Sequence, residues 1–583
     1  MVRTILKQIK QYRKPSMLTP LFAALEVVME VLIPFVTAAI VDKGINKGNL
    51  QAVYRYGALM LLLAMCSLLF GILAGKYAAA ASSGLACNLR NSMYENIQRF
   101  SFSNIDKFST AGLVTRMTTD VTNLQNAFQM VIRIAVRAPL MLICSLCMCL
   151  FISVKMSMIF LVAIVFLSVF LIVIMLTVMK IFDVVFKKYD ELNASVQENM
   201  TAIRVVKSFV REDYEKKKFS DAANRLYKLF VKAEGILAFN NPIMMITIYG
   251  CVLALSWFGA KFVIAGELQT GELFSMFSYI MGILMSLMML SMIFVMLTMS
   301  AASGRRIAEV LNEEPDLKNG EAPVFEIPDG RIDFNHVSFA YRQGSGKETL
   351  QGIELHIKSG ETIGVIGGTG CGKSSLVNLI SRLYDVTEGS VCVGGLDVRE
   401  YDMEALRNNV SVVLQKNVLF SGTILDNLRW GNENATEEEC REACIQACAD
   451  EFIQQFPDKY HTYIEQGGTN VSGGQKQRLC IARALLKKPK ILILDDSTSA
   501  VDTATDAKIR KAFAESIPGT TKIIIAQRIS SVQEADRILV MEGGKIGGLG
   551  THEELLSTND IYREIYETQV KGGGDFDQAG GER

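Results

Sequence analysis

The chain has 583 residues, of which 50% are hydrophobic and 21% are charged, and its mean hydropathy is +0.25. An ordinary soluble protein of this length is seldom so apolar, which predicts long continuous apolar segments. Lys and Arg together number 60, as do Asp and Glu, so the net charge is zero and gives no indication of a nucleic-acid partner.

Six apolar stretches are each long enough to cross a bilayer, which takes about 20 residues. They run over 17–41, 54–83, 128–154, 156–179, 236–265 and 273–300. Two long polar loops, 84–127 and 180–235, follow the second and fourth stretches, and both are predicted to be helical. Paired helical arms of that length would extend roughly 30 to 35 Å beyond the membrane.

Positive charge predicts the orientation of these spans. The N-terminal arm, 1–16, is basic and amphipathic, and is predicted to be a helix lying at the membrane interface. The loop 180–235 is also rich in Lys and Arg, whereas the short loops carry few of them. By the positive-inside rule, the N-terminus, both long loops and everything after Ser300 are cytoplasmic. The sequence therefore predicts a multi-pass protein of the cell membrane.

The remaining chain changes character after residue 304. Residues 17–304 are expected to form the transmembrane domain, 305–330 a linker containing Pro315 and Pro323, and 331–570 an α/β domain with short β-branched strands between helices. The Gly-rich tail, 571–583, is predicted to be disordered. The predicted fold class is an α-helical membrane domain followed by an α/β P-loop domain.

A phosphate-binding loop opens the α/β domain. Its glycines let backbone N–H groups surround phosphates at a helix N-terminus, after a predicted strand at 362–366. Lys373 is expected to contact the β- and γ-phosphates of ATP, and the Ser374 hydroxyl to bind Mg²⁺. The residues of this candidate site are Gly367, Gly368, Thr369, Gly370, Cys371, Gly372, Lys373, Ser374 and Ser375.

Two further motifs lie downstream. A hydrophobic strand at 491–494 ends in Asp495, whose buried carboxylate would be costly without a cation, so Asp495 is a predicted Mg²⁺ ligand. Between the two lies the run Val471, Ser472, Gly473, Gly474 and Gln475. In this order and spacing it closely resembles the signature of the ATP-binding cassette family, with Val471 in place of the usual leucine.

The whole chain resembles a bacterial type IV ABC exporter half-transporter. That resemblance implies that Tyr341 stacks on adenine, that Gln415 contacts Mg²⁺ and senses the membrane domain, and that Asp502 belongs to a segment at the dimer interface. It implies that segments near 104–115 and 203–211 are coupling helices seated in clefts of the cassettes. It also implies that each ATP lies between the phosphate loop of one subunit and the signature of the other.

The chain departs from the family pattern at two positions of the same site. The residue after the Mg²⁺-binding aspartate is normally a glutamate that positions water, and here it is Asp496, shorter by a methylene. The switch histidine is replaced by Gln527, which can donate a hydrogen bond but cannot carry a proton. Because positioning is sensitive to about 1 Å, a large loss of rate is expected.

These departures resemble the degenerate-site subunit of heterodimeric multidrug exporters. The chain would then form a degenerate ATP site and supply Ser472, Gly473, Gly474 and Gln475 to the hydrolytic site of a different partner chain. The alternatives are a slow homodimeric lipid or peptide exporter and a nucleotide-gated regulatory membrane subunit. The exported substrate, expected to be amphipathic, is not specified by the sequence.

Three other patterns leave alternatives open. A methionine face on the sixth span suggests either a ligand cavity or a packing stripe; its members are Met281, Met285, Met288, Met292, Met296 and Met299. Intramembrane charges pair with each other or contact a cationic substrate; they are Glu26, Glu30, Arg133 and Arg137. Three cysteines at helical spacing favour core packing over a metal site; they are Cys440, Cys444 and Cys448.

Overall fold

The computed structural model describes residues 1–341, 348–497 and 501–571. The predicted disordered tail therefore lies outside the described residues except for Lys571. Ser499 and Ala500, which stand just before Val501 and Asp502 in the sequence, also lie outside them. The described chain divides into two compact units. Unit 1 contains Met1–Arg99 and Phe108–Glu313, and unit 2 contains Phe100–Lys107 and the described residues from Glu314 onward.

Unit 1 is helical. The helices up to residue 312 are α1 Val2–Lys7, α2 Arg13–Ala39, α3 Leu50–Gln98, α4 Phe102–Phe108, α5 Thr110–Thr115, α6 Val121–Ile152, α7 Val154–Thr201, α8 Ile203–Ser208, α9 Glu212–Leu237, α10 Asn240–Ile264 and α11 Thr270–Asn312. All of them belong to unit 1 except α4, of which all but the last residue belongs to unit 2. Short π-helical segments, Ile40–Ile45 and Arg116–Asp120, continue α2 and precede α6. In the arm predicted as one helix over 1–16, Lys10 has a positive φ of 40°, a left-handed conformation that interrupts the helix between α1 and α2.

Six helical segments of unit 1 have the length and composition of membrane spans, which confirms the predicted number. They are Lys10–Ile45, Leu50–Gln98, Thr110–Ile152, Val154–Phe182, Glu212–Ile264 and Thr270–Asn312. The second and fifth are much longer than a bilayer requires because they continue into the polar arms. A buried cluster that includes Val27, Phe160, Leu255 and Leu284 joins residues from the transmembrane helices.

Unit 2 is an α/β domain built on three sheets. Its strands are β1 Ile332–Phe339, β2 Leu350–Ile357, β3 Thr362–Gly367, β4 Glu388–Val393, β5 Leu396–Asp397, β6 Val410–Val413, β7 Gly422–Thr423, β8 Tyr463–Ile464, β9 Ile491–Asp495, β10 Thr521–Ile525, β11 Arg537–Glu542 and β12 Lys545–Gly550. Its remaining helices are α12 Lys373–Ile380, α13 Met403–Asn409, α14 Ile424–Arg429, α15 Glu437–Gln446, α16 Asp450–Ile453, α17 Gly473–Leu485, α18 Thr503–Ser516, α19 His552–Thr558 and α20 Asp560–Lys571.

The central sheet has the order β12-β11-β3-β10-β9-β6. All its neighbouring strands pair in parallel except β11 and β12. Parallel pairing brings the carboxyl ends of β3, β9 and β10 to one edge, where ligands of open α/β sheets bind. Strand β9 is buried along its whole length, as its continuous run of apolar residues predicts.

The cysteine face of α15 lies inside unit 2. Cys440 and Cys444 are fully buried in the core cluster, and Cys448 packs against that cluster. Burial raises the pKa of the Cys440 thiol, which favours its neutral form. These thiols therefore act as small apolar core side chains.

Candidate nucleotide site

A cavity of about 510 Å³ lies at the carboxyl edge of the central sheet. It collects nearly all of the predicted phosphate-loop residues, together with the residues expected to surround Mg²⁺ and the γ-phosphate. The predicted residues that line it are Tyr341, Gly367, Gly368, Thr369, Gly370, Gly372, Lys373, Ser374, Ser375, Gln415, Asp495, Asp496 and Gln527. Residues from five separate parts of the sequence therefore meet in one place.

The phosphate loop depends on glycine at specific positions. Gly372 caps α12 with a φ of 100°, and a Cβ there would lie 2.8 Å from a methyl group of Leu350. At Gly367, with a φ of 155°, a Cβ would collide with the carbonyl of Met541. Cys371 is the loop residue that does not line the cavity, because its side chain is buried in the core beneath. The loop thus exposes backbone at the N-terminus of α12.

Lys373 begins α12, and its ammonium group lies against the loop. Nζ donates hydrogen bonds to the carbonyls of Gly367 at 2.8 Å and Gly368 at 2.9 Å. These contacts hold the cation at the cavity wall, next to the backbone that would surround phosphates.

Asp495 is the buried acid at the end of β9, with 6% of its surface exposed. Burial raises the pKa of its carboxyl group, and the neighbouring Asp496 raises it further, whereas a hydrogen bond from Ser374 and the charge of Lys373 lower it. The hydroxyl of Ser374, the amide of Gln415 and this carboxylate face the same cavity, and hard oxygen donors of this kind suit Mg²⁺. The donor set fits that cation, whose charge would offset the cost of burying the acid.

Asp496 follows directly and has a positive φ of 47°, which aspartate tolerates better than most residues. Its backbone N–H donates to the carbonyl of Ile525 at 2.9 Å. Its Oδ2 accepts hydrogen bonds from Nε2 of Gln527 at 2.9 Å and from Nε2 of Gln415 at 3.3 Å. The two positions that depart from the family pattern therefore contact each other directly.

Tyr341 links the cavity to α4 through aromatic contacts. Its hydroxyl lies 2.9 Å from Oγ of Ser375, and its ring meets that of Tyr384 edge-on at 5.2 Å. Tyr384 in turn donates a hydrogen bond to Asp106 of α4 at 2.8 Å and packs against Phe102. This explains why Phe100–Lys107, which overlaps the start of the predicted coupling segment near 104–115, belongs to unit 2.

Sequence reasoning missed the contribution of the C-terminal helix α20. Ile565 lines the cavity, and Gln569 makes two hydrogen bonds to the backbone around Gln527. Its Nε2 donates to the Gln527 carbonyl at 2.8 Å, and its Oε1 accepts from the Ile529 N–H at 2.9 Å. No local motif marks these residues; the amphipathic pattern of α20 is the signal that could have identified a helix packed against the domain.

The signature residues do not line this cavity. Ser472 caps α17 and forms a capping box with Gln475: Oγ of Ser472 accepts from the Gln475 N–H at 3.3 Å, and Oε1 of Gln475 accepts from the Ser472 N–H at 2.9 Å. This pair of hydrogen bonds lies at the surface of unit 2. Asp502 likewise caps α18, accepting a hydrogen bond from the Thr505 N–H at 2.9 Å.

A second cavity of unit 2, of about 460 Å³, is bordered by aromatic side chains. Phe420 and Trp430 stack with their ring centroids 4.2 Å apart, and both are exposed. Phe102 of α4 also borders this cavity. Its lining is largely apolar but also includes Arg407, Lys416 and Lys487.

Two family models match the chain, one for each unit. The model of the ABC transporter transmembrane region matches residues 17–288, and the ABC transporter model matches residues 350–499. The chain is 38% identical to YfiB of Bacillus subtilis, an uncharacterised ABC transporter ATP-binding protein, over 93% of this chain and 94% of that relative. The chain belongs to the ABC transporter family.

Other similarities agree with this assignment. An uncharacterised ABC transporter ATP-binding protein of Mycobacterium tuberculosis is 36% identical over 98% of both chains. A solved structure of a bacterial Atm1-family ABC exporter with ATP bound has the same fold, with a TM-score of 0.82 and 22% identity over 96% of this chain and 99% of that chain. The predicted fold class and the assignment as a multi-pass membrane ABC transporter are thus confirmed. Family membership implies that unit 2 binds ATP and that the hydrolysis of ATP is coupled to transport.

Proposed function

We propose that this chain is one half of an ATP-driven exporter of amphipathic compounds, in which its own ATP site is degenerate and a different partner chain carries the hydrolytic site. The observation that carries the proposal is the contact between Asp496 and Gln527. A short carboxylate stands where the family has the glutamate that positions water, and a neutral amide stands where it has the histidine. Both changes fall on a single pair of groups in one cavity.

The roles of the remaining residues follow from their positions. The loop 367–375 holds the phosphates, with Lys373 at the β- and γ-phosphates and Tyr341 against adenine. Ser374, Gln415 and Asp495 would hold Mg²⁺, which supplies charge neutralisation to the phosphates when bound. Gln527 is expected to donate a hydrogen bond to the γ-phosphate, but its amide already donates to Asp496 and cannot shuttle a proton.

The site also requires a second chain. Ser472, Gly473, Gly474 and Gln475 lie outside the cavity that contains the phosphate loop. In the family arrangement they complete the site of the partner, and the groove beside Phe420 and Trp430 would receive a coupling helix. We place the N-terminus and unit 2 in the cytoplasm because the N-terminal arm and the second long loop are rich in Lys and Arg, which favours the cytoplasmic side.

Restoring the two family residues tests the proposal. We expect the purified chain in lipid nanodiscs to hydrolyse ATP very slowly with Mg²⁺. Where two copies pair, each supplies its signature to the other, so the double variant Asp496→Glu, Gln527→His should raise turnover by about 10²-fold, since the restored glutamate positions water and the restored histidine carries a proton. The single variant Lys511→Arg, at an exposed side chain of α18, is the matched control and should leave the rate unchanged. Fast hydrolysis by the unmodified chain, unaffected by the double variant, would contradict the proposal and favour the homodimeric alternative.

A further inference from the structure

A third cavity, of about 680 Å³, lies in unit 1 among α2, α3 and α6. Four charged side chains line it, Glu26 and Glu30 from α2 and Arg133 and Arg137 from α6. All four stand within stretches predicted to cross the membrane, where a charge is expensive unless it is paired or hydrated. A charged cavity at this depth needs a functional or structural reason.

Part of the charge is paired internally. Arg137 forks between the two acids, with Nη1 3.0 Å from Oε1 of Glu26 and Nη2 2.8 Å from Oε2 of Glu30. The pairing that the sequence left open therefore exists, but it is incomplete. Two carboxylates and one guanidinium together carry one negative charge.

Two groups on the cavity remain without protein partners among the described residues. The side chain of Glu26 is 10% exposed, and its Oε2 accepts no hydrogen bond there. Arg133 has no carboxylate within 4.0 Å in the described part of the chain. It stands one helical turn, about 6 Å, from Arg137 along α6. A buried acceptor without a donor and a cation without an anion each cost free energy.

The opposite wall lies close to these charges because glycines form it. A Cβ at Gly71 of α3 would lie 3.1 Å from Oε1 of Glu26, and one at Gly75 would lie 3.5 Å from Nη1 of Arg133. Bare helix backbone thus faces both charges, and a larger side chain at Gly71 would collide with the Glu26 carboxylate and displace it. Leu68 and Ile72, which are 57% and 59% exposed, provide apolar surface at the cavity rim.

We propose that this cavity binds a zwitterionic amphiphile, with a primary ammonium that donates to Glu26, an acidic group that pairs with Arg133, and an apolar tail that lies along Leu68 and Ile72. The group formed by Glu26, Glu30 and Arg137 carries a net negative charge, and Arg133 carries a positive charge. Together they complement the two opposite charges of one zwitterionic headgroup. A primary ammonium can donate to Oε2 of Glu26, whereas a quaternary ammonium cannot. The proposal names a substrate class and so rests on the proposed export function.

Equilibrium binding tests this without nucleotide. The full chain is placed in phosphatidylcholine nanodiscs, and radiolabelled lysophosphatidylethanolamine is the probe. It should bind about tenfold more tightly than lysophosphatidylcholine, lysophosphatidic acid or a long-chain alkylamine, each of which lacks one feature of the headgroup. A second experiment uses nanodiscs that contain diacyl phosphatidylethanolamine. If this lipid competes with the probe, the natural ligand is a bilayer lipid; if it does not compete, the natural ligand is a separate single-chain compound. Equal affinity for all four amphiphiles would overturn the proposal.

Variants localise the binding to the cavity. Arg133→Gln breaks no described ion pair and should weaken the probe about tenfold while leaving alkylamine binding unchanged. Gly71→Leu should abolish binding although no charge changes. Lys155→Gln, which removes a cation from an exposed pair of the same unit, is the control and should bind normally. Glu26→Gln should remove the preference over lysophosphatidylcholine; if that variant fails to fold, the Arg133→Gln and Gly71→Leu results decide.

Normal probe affinity in both Arg133→Gln and Gly71→Leu would overturn the site. Because no nucleotide is present, this failure is distinct from that of the proposed function, which would show as fast ATP hydrolysis by the unmodified chain.

Discussion

Asp495 illustrates how one side chain can oppose stability and serve function. Burial raises the pKa of its carboxyl group in the folded chain. As the pH rises, Asp495 therefore ionises at a lower pH in the unfolded chain than in the folded chain. Stability is therefore lost as the pH rises from the ordinary pKa of aspartate through the raised value in the folded chain. At neutral pH the ionised acid weakens the fold unless a cation neutralises it.

The variant Asp495→Asn separates these two effects. The neutral amide should keep or raise the melting temperature of the chain without ligand, because no charge is buried. It should also weaken the stabilisation by Mg²⁺ and ATP, with the Mg²⁺ concentration for half effect rising about tenfold or more. Thermal unfolding over a series of Mg²⁺ concentrations measures both. A melting temperature that falls without ligand, while the Mg²⁺ dependence is unchanged, would contradict this account of Asp495.

At the level of the elements, α4 and the nucleotide cavity are connected through Tyr384. Its hydroxyl donates to Asp106, and its ring contacts Phe102 and Tyr341. Burial and the hydrogen bond to Asp106 raise the pKa of the Tyr384 hydroxyl above its ordinary value, which keeps it protonated into the alkaline range. Tyr341 lines the cavity, so a change in its position can reach α4 through a single side chain.

The variant Tyr384→Phe removes the hydrogen bond and keeps the ring. Affinity for ATP should be nearly unchanged, whereas stimulation of the assembled transporter's ATPase by transported compounds should fall several-fold. Tyr463→Phe, at an exposed tyrosine of β8, is the matched control. Unaltered stimulation, or an equal loss of ATP affinity in both variants, would show that Tyr384 does not couple the two elements.

The methionine face of α11 remains open to a ligand, a lipid or another chain. Met281, Met285, Met288 and Met292 are exposed in unit 1, whereas Ile283, Leu284 and Leu287 on the same helix are buried against its neighbours. The side chain of Met299 lies outside the described residues. Internal packing of unit 1 therefore does not account for the exposed methionines.

A cavity formed by this face predicts that Met288→Ala and Met292→Ala alter which ligands stimulate ATPase activity. Leu290→Ala, on the opposite side of α11, should leave the ligand profile unchanged. The measurement is ATPase stimulation of the assembled transporter by a panel of amphipathic compounds. The same response from both faces would mean that the methionines pack against lipid or protein.

For the whole molecule, most of the fold and of the nucleotide site was predicted from long apolar runs and from the spacing of motifs. Six apolar runs and the phosphate loop are local patterns with a direct physical cause, and the structure contains both. Pairing among the intramembrane charges was one of the two alternatives that the sequence left open, but the sequence could not assign Arg137 to both Glu26 and Glu30. The hydrogen bonds of Gln569 to the backbone around Gln527 and the contacts of Tyr384 with α4 were not predicted. Each joins residues distant in sequence, and their pairing depends on tertiary packing that no local pattern records.

The central claim concerns how catalysis is divided between two chains, and three variants in the assembled transporter test it most directly. The chain is purified with its native partner, and ATPase rate and trapped nucleotide are measured together. Lys373→Ala should lower nucleotide occupancy at the degenerate site. Ser472→Ala should reduce turnover about 10²- to 10³-fold, because it removes a transition-state donor from the partner's site. Asp496→Asn should change turnover little. If Asp496→Asn abolished turnover and Ser472→Ala left it intact, the assignment of the two sites would be wrong.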